Sequence, residues 1–93
     1  MTAYAVVTLT VTDPDMMAQY REVAGPSMAK HGASALHVSA EPKQIEGEGP
    51  APQIIVLLTF PDRKAAEQWH NDPEIAHVRA LRQGAADSRI FLL

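Results

Sequence analysis

Residues 53–60 read QIIVLLTF, and this stretch indicates more about the fold than any other part of the chain. Its β-branched and aromatic side chains, followed by Pro61-Asp62, predict a β-strand from Gln53 to Phe60. Successive residues of a strand point to opposite sides, and here both sides are apolar. A strand of this kind needs cover on both faces of its sheet. One side carries Ile54, Val56, Leu58 and Phe60, and the other carries Ile55, Leu57 and Thr59.

The rest of the chain alternates strand-like and helix-like patterns around this strand. Residues 3–11 (AYAVVTLTV) are typical of a strand, and Asp13-Pro14 supplies an N-cap and a first turn for a helix. Gly25-Pro26 is expected to kink or interrupt that helix, and Gly32 to end it. The remaining predicted elements are a strand at 34–41, a loop at 47–52, a helix at 62–70, a helical segment at 73–86 capped by Asn71-Asp72, and a strand at 88–93.

This order of elements, β-α-β-β-α-β, is that of a ferredoxin-like α+β fold. Right-handed crossovers place both helices on one face of a four-stranded antiparallel sheet. The first strand is also apolar on both sides, with Tyr4 and Val6 on one side and Val7 and Leu9 on the other. Because the helices cover only one face, a second copy of the sheet is the simplest cover for the other. The sequence therefore predicts a homodimer through the sheet face, a dimeric α+β barrel, with a cavity between or beside the two sheets.

The composition limits the classes of function. The 93 residues are expected to form a single domain, and 46% hydrophobic with 20% charged residues is typical of a globular protein. The net charge of -3 gives no electrostatic basis for binding nucleic acid, and a chain without cysteine has no disulfide or thiolate metal site. No apolar run reaches the roughly 18 residues of a transmembrane helix, and the N-terminal residues lack a secretory-signal pattern. We therefore expect a cytoplasmic protein with no membrane partner.

Several segments together resemble the DUF1330 family, whose members are uncharacterised proteins of the dimeric α+β barrel superfamily. The resemblance covers nearly all of residues 1–93, and it implies the fold and the dimer but little about activity. Relatives in the wider superfamily include cofactor-independent monooxygenases, polyketide cyclases, muconolactone isomerases and haem-degrading enzymes, which is an analogy of fold. The segments that carry the resemblance are Asp13-Pro14, Tyr20-Arg21, Pro26, Gly32, Glu46-Gly47, IIVLLTFPD at 54–62, AAEQWHNDPE at 65–74 and ALRQGAADSRIFLL at 80–93.

The chain departs from the family pattern at the start of the second predicted strand. Members commonly have Gly-Gly-Arg there, with another arginine four residues later. This chain has Gly32-Ala33-Ser34, and Val38 stands at the later position. Two cations suited to an anionic ligand are thus absent from this strand. Members also often carry tyrosine where this chain has His70.

His37 is the candidate catalytic residue, because histidine is the usual acid or base near neutral pH. It lies between Leu36 and Val38 in the second predicted strand. Its side chain either faces the cavity between subunits or is an ordinary histidine, hydrogen-bonded or at the rim. Four other residues are candidates for substrate binding: Tyr20, Trp69, His70 and Arg82.

Each substrate-binding candidate also has a purely structural interpretation. Trp69, the only tryptophan, is either the aromatic wall of a pocket or a core anchor, and Tyr20 offers the same two alternatives. Arg82 and Arg79 either bind a carboxylate or belong to a solvated helix face.

The other histidines carry weaker signals. His70 and His77 are separated by the helix break at Pro73, so their spacing does not favour a metal site. His31, beside Lys30, fits a favourable interaction with the C-terminal end of a helix.

Two classes of function are compatible with these residues. The first is a cofactor-independent enzyme, such as a cyclase, isomerase or monooxygenase, acting on a hydrophobic or polyketide-like metabolite. In that case His37 acts as the acid or base, and Tyr20, Trp69 and Arg82 shape the pocket. The second is a non-catalytic ligand-binding or structural dimer, and haem binding is a weaker third option. The leading hypothesis requires no cofactor and no metal.

Overall fold

The computed structural model describes residues 2–93 and has the predicted order of strands and helices. The elements are β1 (Ala3–Val11), α1 (Pro14–Ala29), β2 (Ser34–Ser39), β3 (Ile54–Phe60), α2 (Arg63–Asn71), a 3₁₀ turn (Pro73–Ile75), α3 (Ala76–Ala85) and β4 (Ala86–Leu92). The sheet has the order β2-β3-β1-β4, and each neighbouring pair is antiparallel. This is the ferredoxin-like α+β fold that the sequence predicts.

Aspartates begin the helical segments. Their carboxylates accept hydrogen bonds from backbone N–H groups that have no partner within the helix. The caps predicted at Asp13 and Asp72 are confirmed. Asp13 Oδ1 accepts from Met16 N at 3.1 Å, Asp62 Oδ1 from Ala65 N at 2.7 Å, and Asp72 Oδ1 from Glu74 N at 2.9 Å.

Helix α1 continues through Gly25-Pro26, so the predicted interruption is wrong. Proline removes one N–H donor, but its fixed φ suits a helix, and one further turn forms before the helix ends. The chain then turns at Gly32, which has φ +69°. A Cβ at this position would lie 2.8 Å from Cγ of Pro61, so both the backbone conformation and the space require glycine.

The C-terminal part differs from the prediction in where its elements meet. The segment predicted at 73–86 divides into the 3₁₀ turn and α3, and β4 begins at Ala86 rather than Ser88. The N–H groups of Thr12 and Asp13 both donate to the carbonyl of Ala85, at 2.9 and 3.0 Å. These bonds attach the end of α3 to the end of β1, so β4 follows without a loop. Strand β2 is shorter than predicted and ends at Ser39.

The two faces of the sheet differ in their cover. The helix-facing side holds the buried core, in which Ala5 pairs with Leu58 and Val7 with Val56. The opposite side is partly open in the single chain: Tyr4 is 41% and Phe91 is 44% exposed. We call the open side the outer face; it carries Tyr4, Val6, Thr8, Ile55, Leu57, Thr59, Arg89 and Phe91.

None of the helices formed by residues 2–93 is long and apolar enough to cross a membrane.

Candidate functional site

A cavity of about 320 Å³, which we call the α1 cavity, lies between α1 and the helix-facing side of the sheet. Tyr20 and Arg21 enter its lining from α1, and Trp69 enters from α2. A mostly apolar concavity with a few polar groups is the usual form of a small-molecule site. The other lining residues are all apolar or glycine, among them Val7, Leu9, Val38, Ile54, Val56 and Leu58.

Trp69 lies between two cavities. It is 4% exposed and packs against Phe60, with ring centroids 5.5 Å apart and planes tilted by 51°. On its other side is a smaller cavity of about 200 Å³, lined also by His70, Asn71 and residues of β4. Trp69 is therefore both a core residue and a cavity wall, while the exposed His70 belongs to the second cavity and not to the one that contains Tyr20.

Arg82 is the most unusual side chain of this region. It is 2% exposed, and its guanidinium carbon lies 5.5 Å from the centroid of the Trp69 ring and 6.0 Å from that of Tyr20. Its Nε has no hydrogen-bond partner, and it takes part in none of the ion pairs formed by residues 2–93. The solvated helix face considered for Arg82 is therefore wrong: α3 buries this cation against two aromatic rings.

Arg79, one turn earlier on α3, has a different role. Its Nη1 donates to the carbonyl oxygen of Asp72 at 2.7 Å and to that of Trp69 at 3.4 Å. These carbonyls lie at the end of α2, where backbone oxygens lack helical partners. Arg79 therefore fixes the backbone of Trp69, and the structure brings Tyr20, Trp69 and Arg82 together with Arg79 as their support.

A charged cluster joins the end of α1 to the corner between α2 and the 3₁₀ turn. Asp72 Oδ2 lies 2.7 Å from Lys30 Nζ and 2.8 Å from His31 Nε2, and Lys30 also pairs with Glu74. The Lys30 ammonium holds the pKa of the Asp72 carboxyl well below its usual range, and the hydrogen bond with His31 lowers it further. The same pairing with Asp72, and then with Glu74, raises the pKa of Lys30. His31 thus contacts a carboxylate rather than only a helix end.

His37 lies on the other side of the sheet from the α1 cavity. A β-bulge between Ala35 and His37 shifts the register, so His37 pairs with Leu57 of the outer face while Val38 pairs with Val56 on the helix-facing side. His37 is exposed in the single chain. The structure therefore does not bring the candidate base together with Tyr20, Trp69 and Arg82.

His77 lines a shallow groove with Glu22 and Val23 of α1, away from His70. Within residues 2–93, no three His, Asp or Glu side chains gather closely enough to hold a metal ion.

The sequence analysis missed one residue of this region, Arg21, and also missed the burial of Arg82. Arg21 lines the α1 cavity, and its signal was the Tyr20-Arg21 pair among the segments that carry the family resemblance. Burial of Arg82 also had a signal. Val78, Arg82 and Ala85 are the buried residues of α3, so the arginine occupies a position in an otherwise apolar stripe at helical spacing.

Comparison with known proteins identifies the family of this chain. The family model of DUF1330, a domain of unknown function, matches residues 2–93. No curated protein sequence matches the chain significantly.

Several solved structures share the fold at low sequence identity. A protein of unknown function from Rhodopseudomonas palustris has a TM-score of 0.77 at 19% identity, covering 99% of this chain and 80% of its own. SnoaB, a cofactor-independent oxygenase from Streptomyces nogalater, has a TM-score of 0.72 at 11% identity, covering 99% and 90%. A protein from Jannaschia sp. CCS1, described as dimeric, ferredoxin-like and of unknown function, has a TM-score of 0.70 at 13% identity, covering 100% and 98%.

Proposed function

The chain belongs to the DUF1330 family, a domain family of unknown function, and from its cavity we infer that it binds a small hydrophobic molecule between α1 and the sheet. The observation that carries this inference is the wall formed by Tyr20 and Trp69 above an apolar floor, with Arg82 buried against both rings. Aromatic rings and branched aliphatic side chains offer a small apolar molecule a surface from which water is readily displaced.

The chemistry that we propose for this cavity is cofactor-free, of the cyclase, isomerase or monooxygenase type, on a hydrophobic or polyketide-like metabolite. The Tyr20 hydroxyl is the group in the cavity wall best suited to donate or accept a proton. The likeness to SnoaB, an oxygenase of the same fold, supports this class of reaction only as an analogy. His37, on the outer face, stays a proposed acid or base for a second site where the sheets of two copies meet.

We also propose that the outer face packs against the same face of a second copy. Its apolar residues are half-buried or exposed in the single chain, and some structural relatives are described as dimeric. The alternative function is then a non-catalytic ligand-binding or structural dimer. It is favoured by the position of His37, which faces away from the α1 cavity.

Binding in the α1 cavity is testable through Trp69, the only tryptophan of the chain. We expect 3-phenylpropan-1-ol or 3-phenylpropanoate to change the tryptophan fluorescence in a saturable way. Ala24→Leu fills the cavity from α1 and should abolish this change, whereas Ala18→Leu, on an exposed position of the same helix, should retain it. If neither probe binds, or if Ala24→Leu binds as well as the wild type, the proposed site is wrong.

Catalytic use of His37 requires a different measurement. The imidazole resonances of the protein should be titrated by NMR with and without saturating 3-phenylpropanoate, with His37→Gln to assign the signal. A ligand-dependent change in the pKa of His37 supports its role as acid or base. If the titration of His37 is unchanged with every aromatic acid that binds, His37 is not the acid or base for these ligands, and the Tyr20 hydroxyl remains as the candidate group in the α1 cavity.

A further inference from the structure

The α1 cavity has a charge pattern that sets it apart from the rest of the molecule. The chain carries a net charge of -3, yet the only charged side chain in the lining of this cavity is Arg21. Four other concave regions each include a carboxylate: Glu67, Glu22, Asp87 or Asp62. Two of them also include cations, Arg89 in one and Arg63 with Lys64 in the other, so only the α1 cavity among these five has a cation without a carboxylate. A protein with a net negative charge is not expected, from its composition alone, to have a cavity whose charged side chain is positive.

Arg82 adds a second positive charge to this region. Its guanidinium is buried behind the rings of Tyr20 and Trp69, which themselves line the cavity. Neither Arg21 nor Arg82 belongs to any ion pair formed by residues 2–93. An arginine stays protonated at any ordinary pH, and a buried charge acts over several ångströms because little water screens it.

The burial of Arg82 has no compensating carboxylate. Charged side chains are almost never fully buried unless they are paired, and its Nε is without a hydrogen-bond acceptor. The two ring faces stabilise the cation in part. The charge of Arg82 is therefore not neutralised locally, and it raises the positive potential of the cavity beyond the rings.

We propose that the ligand of the α1 cavity is an apolar monoanion, a molecule with an aromatic or aliphatic body and one carboxylate, phenolate or enolate group. Its body contacts Tyr20 and Trp69, and its anionic group lies beside Arg21, which is exposed at the opening. Arg82 acts as a positioning residue that raises the positive potential from behind the rings. This inference rests on the proposed function, because it names the class of ligand for the same site.

The test compares 3-phenylpropanoate with 3-phenylpropan-1-ol, which differ in charge and little in shape. We expect the acid to bind roughly tenfold more tightly than the alcohol, with a preference that falls as salt is added. Arg21→Gln should remove most of this preference while leaving the affinity for the alcohol within about twofold. Lys43→Gln removes one positive charge from the exposed loop and should leave the preference unchanged.

Arg82→Met tests the buried charge. We expect it to reduce the ratio of acid to alcohol affinity without blocking the alcohol, which a purely structural role would not do. Should this variant fail to fold, the comparison of Arg21→Gln with Lys43→Gln still decides whether the cavity prefers an anionic ligand. Equal affinity of the wild type for acid and alcohol overturns the charge inference and leaves the proposed cavity standing. If neither probe binds, the proposed function itself is overturned.

Discussion

Two arginines three residues apart on α3 illustrate how differently one residue type can contribute to stability. Arg79 donates to two backbone carbonyls at the end of α2, whereas Arg82 is buried with an unpartnered Nε. A hydrogen bond from a charged group contributes about 1.5–3 kcal/mol, and an unsatisfied buried donor costs about 1–3 kcal/mol. The cation–π contacts of Arg82 return about 0.5–2 kcal/mol. Because the unpartnered donor of Arg82 belongs to a charged group, its cost is higher still and the rings offset it only in part, whereas Arg79 gains from its bonds to two carbonyls.

We therefore predict that Arg79→Met lowers the free energy of unfolding by about 1–3 kcal/mol, because two carbonyls lose their donor. Arg82→Met is expected to change it by less than about 1 kcal/mol, or to increase it, because methionine fills the same space without a charge. Urea denaturation of both variants measures the difference. A larger loss for Arg82→Met than for Arg79→Met would contradict the view that Arg82 is retained for ligand binding.

The sequence could identify Tyr20, Trp69 and Arg82 as candidates because their residue types suit a pocket. It could not establish that they meet, since they come from three helices whose packing depends on the whole core. The burial of Arg82 runs against the usual preference of charged residues for water. Functional sites are where such preferences are most often broken.

At the scale of elements, the ion pairs of Asp72 connect α1 to the corner between α2 and the 3₁₀ turn. The pKa of Asp72 is lowered in the folded state, so its contribution is complete above the unfolded value near pH 4 and is lost as pH falls further. Pairing with Asp72, and then with Glu74, raises the pKa of Lys30 in the folded state. The stability that Lys30 contributes is therefore complete below its ordinary pKa of about 10.5 and is lost as the pH rises further.

Asp72→Asn separates the charge from the cap, because asparagine also caps helices well. We predict that this variant is less stable than the wild type at neutral pH and loses less stability between about pH 4 and pH 2. Thermal unfolding followed by circular dichroism over this range measures both effects. Glu74→Gln is the control: it removes an exposed partner of Lys30 and should change the acid slope less. Parallel pH profiles for Asp72→Asn and the wild type would show that the pairing does not couple folding to pH.

Strand β2 shows that a strand can be predicted from the sequence while the face on which its side chains lie cannot. The existence of the strand was predicted, but the face of His37 was not, because the answer depends on one bulge. Regular alternation from Ala35 would put His37 on the helix-facing side with the cavity, and the bulge moves it to the outer face. The alanine-rich stretch around it has no residue that marks such a bulge. By contrast, β3 was predictable because both of its faces are apolar.

At the scale of the whole molecule, the sheet separates the two proposed functions. Its helix-facing side forms the core and the α1 cavity, and its outer face presents Val6, Ile55, Leu57 and Phe91 to whatever covers it. Contiguous apolar surface of this kind is rare on monomers and common at interfaces. The proposed ligand site lies on one side of the sheet and the proposed self-association surface on the other, so each can be changed without the other.

We predict that the wild-type chain sediments at micromolar concentration as a species of twice the 10.1 kDa of one chain. Leu57, near the centre of the outer face, is half-buried in the single chain, so Leu57→Lys should leave the fold intact but place a charge in the interface. We expect this variant to sediment as a monomer with an unchanged far-ultraviolet spectrum. Ile45→Lys introduces the same side chain at a loop residue that is 89% exposed, and it should remain dimeric. A monomeric wild type, or a dimer that tolerates lysine at position 57, would mean that the outer face is not the interface. Because the α1 cavity lies on the other side of the sheet, the monomeric variant should still bind 3-phenylpropanoate.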